Sequence, residues 1–133
     1  SFKYSYLKIL SNREIMSKKT MNDFLSEANA EISSISAEEA KKNSKDILFI
    51  DVRDKYERDA EPVIEDAVQL SRGMLEFYAD KEGPYFNKVL NTQKKIVLFC
   101  TLGARGALAT KTLKDMGYEN VYNLENGLQD WMK

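Results

Sequence analysis

The chain has 133 residues, with 20 Lys+Arg against 21 Asp+Glu, 43% hydrophobic residues, one Cys and no His. The missing histidine excludes Ser-His-Asp and Cys-His nucleophile pairs and every His-containing zinc site, and the lone cysteine excludes an intrachain disulfide or a Cys-cluster metal site. A formal net charge of −1 gives no overall cationic surface for nucleic acid, and no apolar run approaches the length of a membrane span.

Residues 1–19 carry Lys3, Lys8, Arg13, Lys18 and Lys19 against Glu14 alone, so this basic stretch leaves the remainder acidic. Its apolar residues are scattered and form no secretory core. Met16 opens MSKKTMNDFL, an unexceptional protein start, so residues 1–15 read as an upstream or loose extension, with a targeting or partner-binding segment as the alternative. From residue 20 to 133 the chain reads as a single domain. A helix is expected over 20–30, with Phe24, Leu25 and Ala28 on one face, then a short strand over 32–35. Ser36 and Glu39 are spaced as a capping box for a short helix, with Lys41, Lys42 and Lys45 near its C-terminal end.

Ile47 to Val52 is a nearly continuous apolar run, the pattern of a strand buried on both faces of a parallel sheet. A charged surface helix is expected over 53–60, a short strand over 67–70, and a helical turn over 73–78. Gly83-Pro84 then precedes a helical stretch over 85–90. Ile96 to Phe99 is a second buried strand, ending at Cys100. Ala107, Leu108, Leu113 and Met116 line the next helix, which stops at Gly117. A strand over 121–124 and a helix carrying Leu128 and Trp131 close the chain. Strand and helix alternating at this spacing argue an α/β fold with a mainly parallel sheet.

Cys100 falls where a parallel strand gives way to a helix, the place where open α/β sheets bind ligands. The loop Thr101-Leu102-Gly103-Ala104-Arg105 is small enough for successive N–H groups to converge on one point. The positive end of the following helix and the Arg105 charge act at that same point, and each effect favours thiolate over thiol. An unpaired cysteine also suits a reducing compartment, so a cytoplasmic location is expected.

Cys100-Thr-Leu-Gly103-Ala-Arg105 resembles the C-x-x-G-x-R active-site loop of the rhodanese family of single-domain sulfurtransferases. The resemblance runs on through Gly106, Ala107, Ala109, Leu113, Met116-Gly117-Tyr118 and Asn120 to Leu124, and ends at Gly127 and Trp131, similar to the family's G-G-x-x-x-W. Upstream, Asp51-Val52-Arg53 with Glu57 resembles D-V-R-x-x-x-E. The similarity spans roughly residues 44–133. It departs at Pro62-Val63-Ile64-Glu65-Asp66-Ala67, where the family usually carries G-H-I-P-G-A, which leaves the turn there open. It departs again at Asn126, in place of the first closing glycine, a position suited to the left-handed backbone that Asn tolerates.

The resemblance implies a rhodanese-like fold, with a mainly parallel sheet of about five strands flanked by helices on both faces. It implies that Cys100 takes a sulfane sulfur from thiosulfate or another persulfide donor as a covalent persulfide and yields it to a thiol, cyanide or protein acceptor. Thr101, Leu102, Gly103, Ala104 and Arg105 would hold the anionic sulfur and orient the donor, with Asp51 and Arg53 bracing the loop. No cofactor or metal is called for. Arg72 reads as a surface charge or as part of the pocket mouth, and Arg53 with Glu57 as a structural ion pair. Trp131 and the aromatics at 77, 78, 85 and 86 read as packing, with 77–86 as an alternative pocket rim. The loop is weakly basic and partly apolar, which suits a persulfide donor better than thiosulfate. Two other classes fit parts of the pattern. One is a Cys-dependent phosphatase or arsenate reductase, although phosphatase loops insert one more residue (C-x5-R). The other is a non-catalytic binding or regulatory module.

Overall fold

The computed structural model describes residues 18–61 and 64–133. Residues 1–17 of the basic stretch lie outside them, as do Pro62 and Val63. All five strands run parallel in one sheet ordered β1-β5-β4-β2-β3. They are β1 (Ser34–Ile35), β2 (Ile47–Asp51), β3 (Val68–Gln69), β4 (Lys95–Phe99) and β5 (Val121–Leu124). In the three central strands the two-residue period of side chains supplies both faces of the core. Ile96, Leu98 and Cys100 join Ile50, Leu75, Leu113 and Val121 on one side, while Val97 and Phe99 join Ile35, Phe49, Leu124 and Leu128 on the other.

The described residues form six α-helices, α1 (Met21–Glu31), α2 (Ala37–Lys42), α3 (Lys55–Ala60), α4 (Leu75–Ala79), α5 (Ala104–Asp115) and α6 (Gly127–Trp131). α1 and α4 pack against α5 on one side, and α2 packs against α6 on the other. The helices on the first side are fixed by polar contacts as well as packing: Tyr118 Oη donates to Ala79 O at 2.8 Å, and Lys111 pairs with Glu31 at the end of α1. On the second side the Phe49 and Trp131 rings meet edge to face at 5.4 Å, a geometry that adds to burial.

The local signals explain most boundaries. Thr20 caps α1 through a complete capping box with Asp23, while the box expected at Ser36 is half formed. Ser36 does accept from Glu39 N–H at the start of α2, without the reciprocal bond. The expected helix over 85–90 is reduced to a 3-10 turn at Lys88–Leu90, because Asn87 Oδ1 accepts from Val89 N–H and caps a single turn. The strand expected from residue 32 begins at Ser34, since Ile32 N–H is still bonded to Ala28 O and closes α1. The helix expected over 53–60 begins at Lys55, because Arg53 is drawn into the interior and is 2% exposed. Met116 is exposed, and the buried face of α5 is instead Gly106, Ala107, Ala109, Thr110 and Leu113.

Of the departing segment, Ile64–Ala67 lies within the described residues and forms a turn. Asp66 stands at the glycine of the family segment and takes φ 65°, the left-handed conformation a glycine would supply, and Ala67 N–H bonds to Ile64 O. Asn126 likewise takes φ 58°, as its residue type suggested.

Candidate active site

The chain leaves β2 toward one edge of the sheet, where β3 lies, and leaves β4 toward the other, where β5 lies. The C-terminal ends of β2 and β4 therefore sit side by side while their onward connections diverge, which creates the crevice where such sheets carry their chemistry. Val52 N–H donates to Phe99 O at 3.1 Å and ties the two strand ends together just before Cys100.

Cys100 is buried, 2% exposed, and its Sγ accepts two backbone hydrogen bonds, from Gly103 N–H at 3.1 Å and Gly106 N–H at 3.3 Å. Gly103 is the N-cap of α5 with φ 108°, a value that brings its N–H round toward the sulfur and that a side chain would strain. The same donors open α5, so a negative charge on Sγ sits against the positive end of a 12-residue helix. Thr101, Leu102 and Ala104 are exposed and form the outer rim, with Leu102 at 65%.

The carbonyls of the loop are held from the opposite side. Leu128 N–H, in the first turn of α6, donates to Cys100 O at 3.0 Å, and Gln129 N–H donates to Thr101 O at 3.2 Å. With these carbonyls bound by α6, the backbone behind Cys100 is fixed while the N–H groups ahead of it turn to the sulfur. Gly127 makes this approach possible. A Cβ there would lie 2.3 Å from Cys100 O and 2.8 Å from Thr101 C and O, at a φ of 57°. We expect Gly127→Ala to lose about 2–4 kcal/mol of stability from strain and overpacking together. Denaturant unfolding measures this, with Gly73→Ala, whose Cβ would meet nothing within 4 Å, as the neutral control.

The arginines are arranged differently from expectation. Arg53 does not pair with Glu57. Its guanidinium binds Asp51, Nε to Oδ1 at 3.0 Å and Nη2 to Oδ2 at 2.8 Å, with both side chains almost wholly buried. Asp51 also accepts from Arg53 N–H, Arg53 Nη2 donates to Glu61 O, and Gln69 Nε2 donates to Arg53 O. The expected partner, Glu57, instead takes Arg105 in a two-pronged ion pair, Nη1 to Oε1 at 2.7 Å and Nη2 to Oε2 at 3.0 Å. This joins α3 to the Cys100–Arg105 loop. Spacing alone cannot assign the partner, because Glu57 lies within reach of arginines both on its own segment and across the crevice.

Arg105 holds the Glu57 carboxyl below the usual carboxylate range, and Glu57 in turn raises the guanidinium's already high value. The sign follows for pH. The pair's contribution is complete above the ordinary Glu value and is lost as pH falls from there through the lowered folded value, so the tie persists into the range where a free glutamate would already be protonated. Arg72 bonds Glu76 and Thr112, neither of which belongs to the loop. Phe77 and Tyr85 meet edge to face at 6.2 Å with both rings exposed. Among the described residues no group of three His, Cys, Asp or Glu side chains is placed to hold a metal, and no helix is long and apolar enough to cross a membrane.

Fold and loop together define an α/β domain that presents a cysteine in a cradle of backbone amides at the end of a central strand. Residues 36–133 match the family model for the rhodanese-like domain. The chain belongs to the rhodanese family. Among solved structures it is similar to a Rhodopseudomonas palustris protein described as of unknown function and a possible tyrosine phosphatase. The two are 34% identical with a TM-score of 0.81, over 86% of this chain and 90% of the other. That coverage exceeds the stretch matched by the family model, so the shared structure extends upstream of Ser36, toward α1. The human single-domain sulfurtransferase TSTD1 is 26% identical with a TM-score of 0.61, over 74% of this chain and 94% of the other. A curated relative, the tRNA uridine(34) hydroxylase of Teredinibacter turnerae, is 30% identical over 91 residues, which is 66% of this chain. The chain spans about a quarter to a third of the length of the hydroxylases it matches, 26% of that one and 34% of the enzyme from Rickettsia bellii.

Proposed function

We propose that the protein is a sulfurtransferase in which Cys100 carries the sulfur. The observation that supports this most directly is the pair of N–H groups, from Gly103 and Gly106, aimed at Sγ. In the first half-reaction Cys100 thiolate attacks the outer sulfur of a donor. The Sγ–S bond forms, the bond between the two donor sulfurs breaks, and its electron pair leaves with the donor as a thiolate, or as sulfite from thiosulfate. In the second, an acceptor nucleophile takes the same outer sulfur and returns the electron pair to Sγ. No external oxidant or reductant is consumed, and the cradle that stabilises the thiolate also stabilises the anionic persulfide.

The donor class follows from charge. Arg105 is the only charged residue of the loop, and both its terminal nitrogens are engaged by Glu57. A small dianion such as thiosulfate finds little free positive charge there, whereas the exposed Leu102 beside Thr101 and Ala104 offers an apolar rim. The preferred donor is therefore a low-molecular-weight or protein persulfide. The loop length weighs against phosphatase chemistry, because Cys100 to Arg105 is one residue shorter than C-x5-R and leaves less room for a phosphoryl group over the sulfur.

Mass spectrometry after exposure to a thiol persulfide is expected to show one added sulfur atom, located on Cys100 and removed by cyanide. Turnover of an aryl phosphate would replace this reading with the phosphatase one. A wild-type chain that acquires no sulfur from thiosulfate or from any persulfide would replace it with a binding module. Glu57→Gln, which removes the competing charge, is expected to raise kcat/KM for thiosulfate about threefold to tenfold, the equivalent of roughly 1 kcal/mol of recovered anion binding. A fall instead would show that Glu57 acts only by holding the loop.

A further inference from the structure

We propose that Asn123 is a positioning residue for the sulfur cradle, setting from behind the two amides that face Cys100. The inference rests on Cys100 being the nucleophile, and extends it to the residue that tunes the thiol.

Asn123 lies in β5, a central parallel strand whose neighbours Val121 and Leu124 are buried and apolar, and it is itself only 5% exposed. A buried polar side chain in such a strand is costly unless its groups are paired. Half of it is paired: Nδ2 donates to Gly103 O at 3.2 Å. The other half is not, because Oδ1 is buried with no hydrogen-bond partner among the described residues. Oδ1 rests instead against the backbone of Gly106, where an added Cβ would come within 2.3 Å of it. One amide therefore touches the two residues whose N–H groups bind Sγ, and no others of the loop by hydrogen bond.

The geometry explains why an unsatisfied acceptor is kept in the core. Gly103 O already accepts from Ala107 N–H at 3.0 Å within α5, and the bond from Nδ2 adds a second hold on it from β5, so the N-cap that turns Gly103 N–H toward Sγ is tied to the sheet as well as to the helix. The Oδ1 contact sets how close the first turn of α5 approaches β5, and so how close Gly106 N–H comes to Sγ. Thr110 Oγ1 donates to Gly106 O at 2.7 Å, so the carbonyl of Gly106 is held within α5 while its N–H faces Sγ. An apolar residue of similar size would satisfy the core better and serve the cradle less well.

The test reads the thiol itself, so it works whether or not sulfur is transferred. The chain has one cysteine, and its thiolate absorbance and its rate of alkylation by iodoacetamide against pH report Cys100 alone. Asn123→Leu keeps the branched outline at a larger volume and loses the donor, and Asn123→Ala avoids any crowding should the leucine variant not fold. Both are expected to move the pH midpoint of thiolate formation upward by about half a unit to one unit, the size of one weakened charge-assisted hydrogen bond. The charged groups that flank the loop, Arg105 with Glu57 from α3 and Arg53 with Asp51 from the end of β2, are unchanged in both. Leu113→Ala, on the buried face of α5, is the control. It should lose about 2–5 kcal/mol of stability and leave the midpoint in place. A wild-type midpoint in a folded Asn123 variant, or an equal shift in Leu113→Ala, overturns the proposal.

Discussion

Cys100→Ser is expected to lower sulfur transfer more than about 1000-fold, to the level of the reaction without protein. The hydroxyl is a far weaker nucleophile at neutral pH than a cradled thiolate, and no second thiol or imidazole in the chain is available to take over. Formation of thiocyanate from cyanide and a sulfur donor measures the loss directly. Serine fits the same space, so the variant should unfold at nearly the wild-type denaturant concentration. Retained transfer with a normal fold would place the sulfur elsewhere and remove the basis of the mechanism.

The second large effect concerns Arg53 and Asp51. Their side chains are 3% and 2% exposed, so removing the arginine leaves a buried carboxylate with its charge uncompensated. Arg53→Ala is expected to cost about 3–5 kcal/mol of stability, read from denaturant unfolding. It should also release Glu61 O, which accepts from the guanidinium, while the bond from Gln69 Nε2 to the Arg53 carbonyl remains available. Replacing both partners by apolar residues, as in Asp51→Leu with Arg53→Met, should recover most of the loss, because no lone charge remains. A double variant no better than the single one would mean that the arginine's backbone-directed bonds, and not the buried charge, carry the effect.

Much of this was legible in the sequence, for a physical reason that differs by element. β2 and β4 are apolar at every central position because both faces are covered, and such runs are recognisable without any partner in view. The Cys100–Arg105 loop is legible because the requirement for small residues and a helix start within a few positions is strict. The ion pairs are less so. The sequence offers Arg53, Glu57 and Arg105 as candidates, but the fold brings Arg105 across the crevice to Glu57 and leaves Arg53 to Asp51 two residues away. Asn123 was hidden for the opposite reason. It occupies a place in a short strand pattern, and only the contact with Gly103 and Gly106 distinguishes it from a tolerated polar residue. Gly127 was visible as a family position, whereas its role in admitting the carbonyls of Cys100 and Thr101 follows only from the approach of α6.

The two outermost strands, β1 and β3, are only two residues long. A parallel sheet with long borders would display rows of free peptide groups to any passing extended chain, and stacking of one molecule on another is the usual penalty. Here the ladder tapers almost to nothing at each margin, so there is scarcely a template on which a neighbour can extend it. The broad hydrogen-bonded surface that ends at Cys100 is confined to the three middle strands, and the shortness of the borders is itself a device against edge-to-edge association.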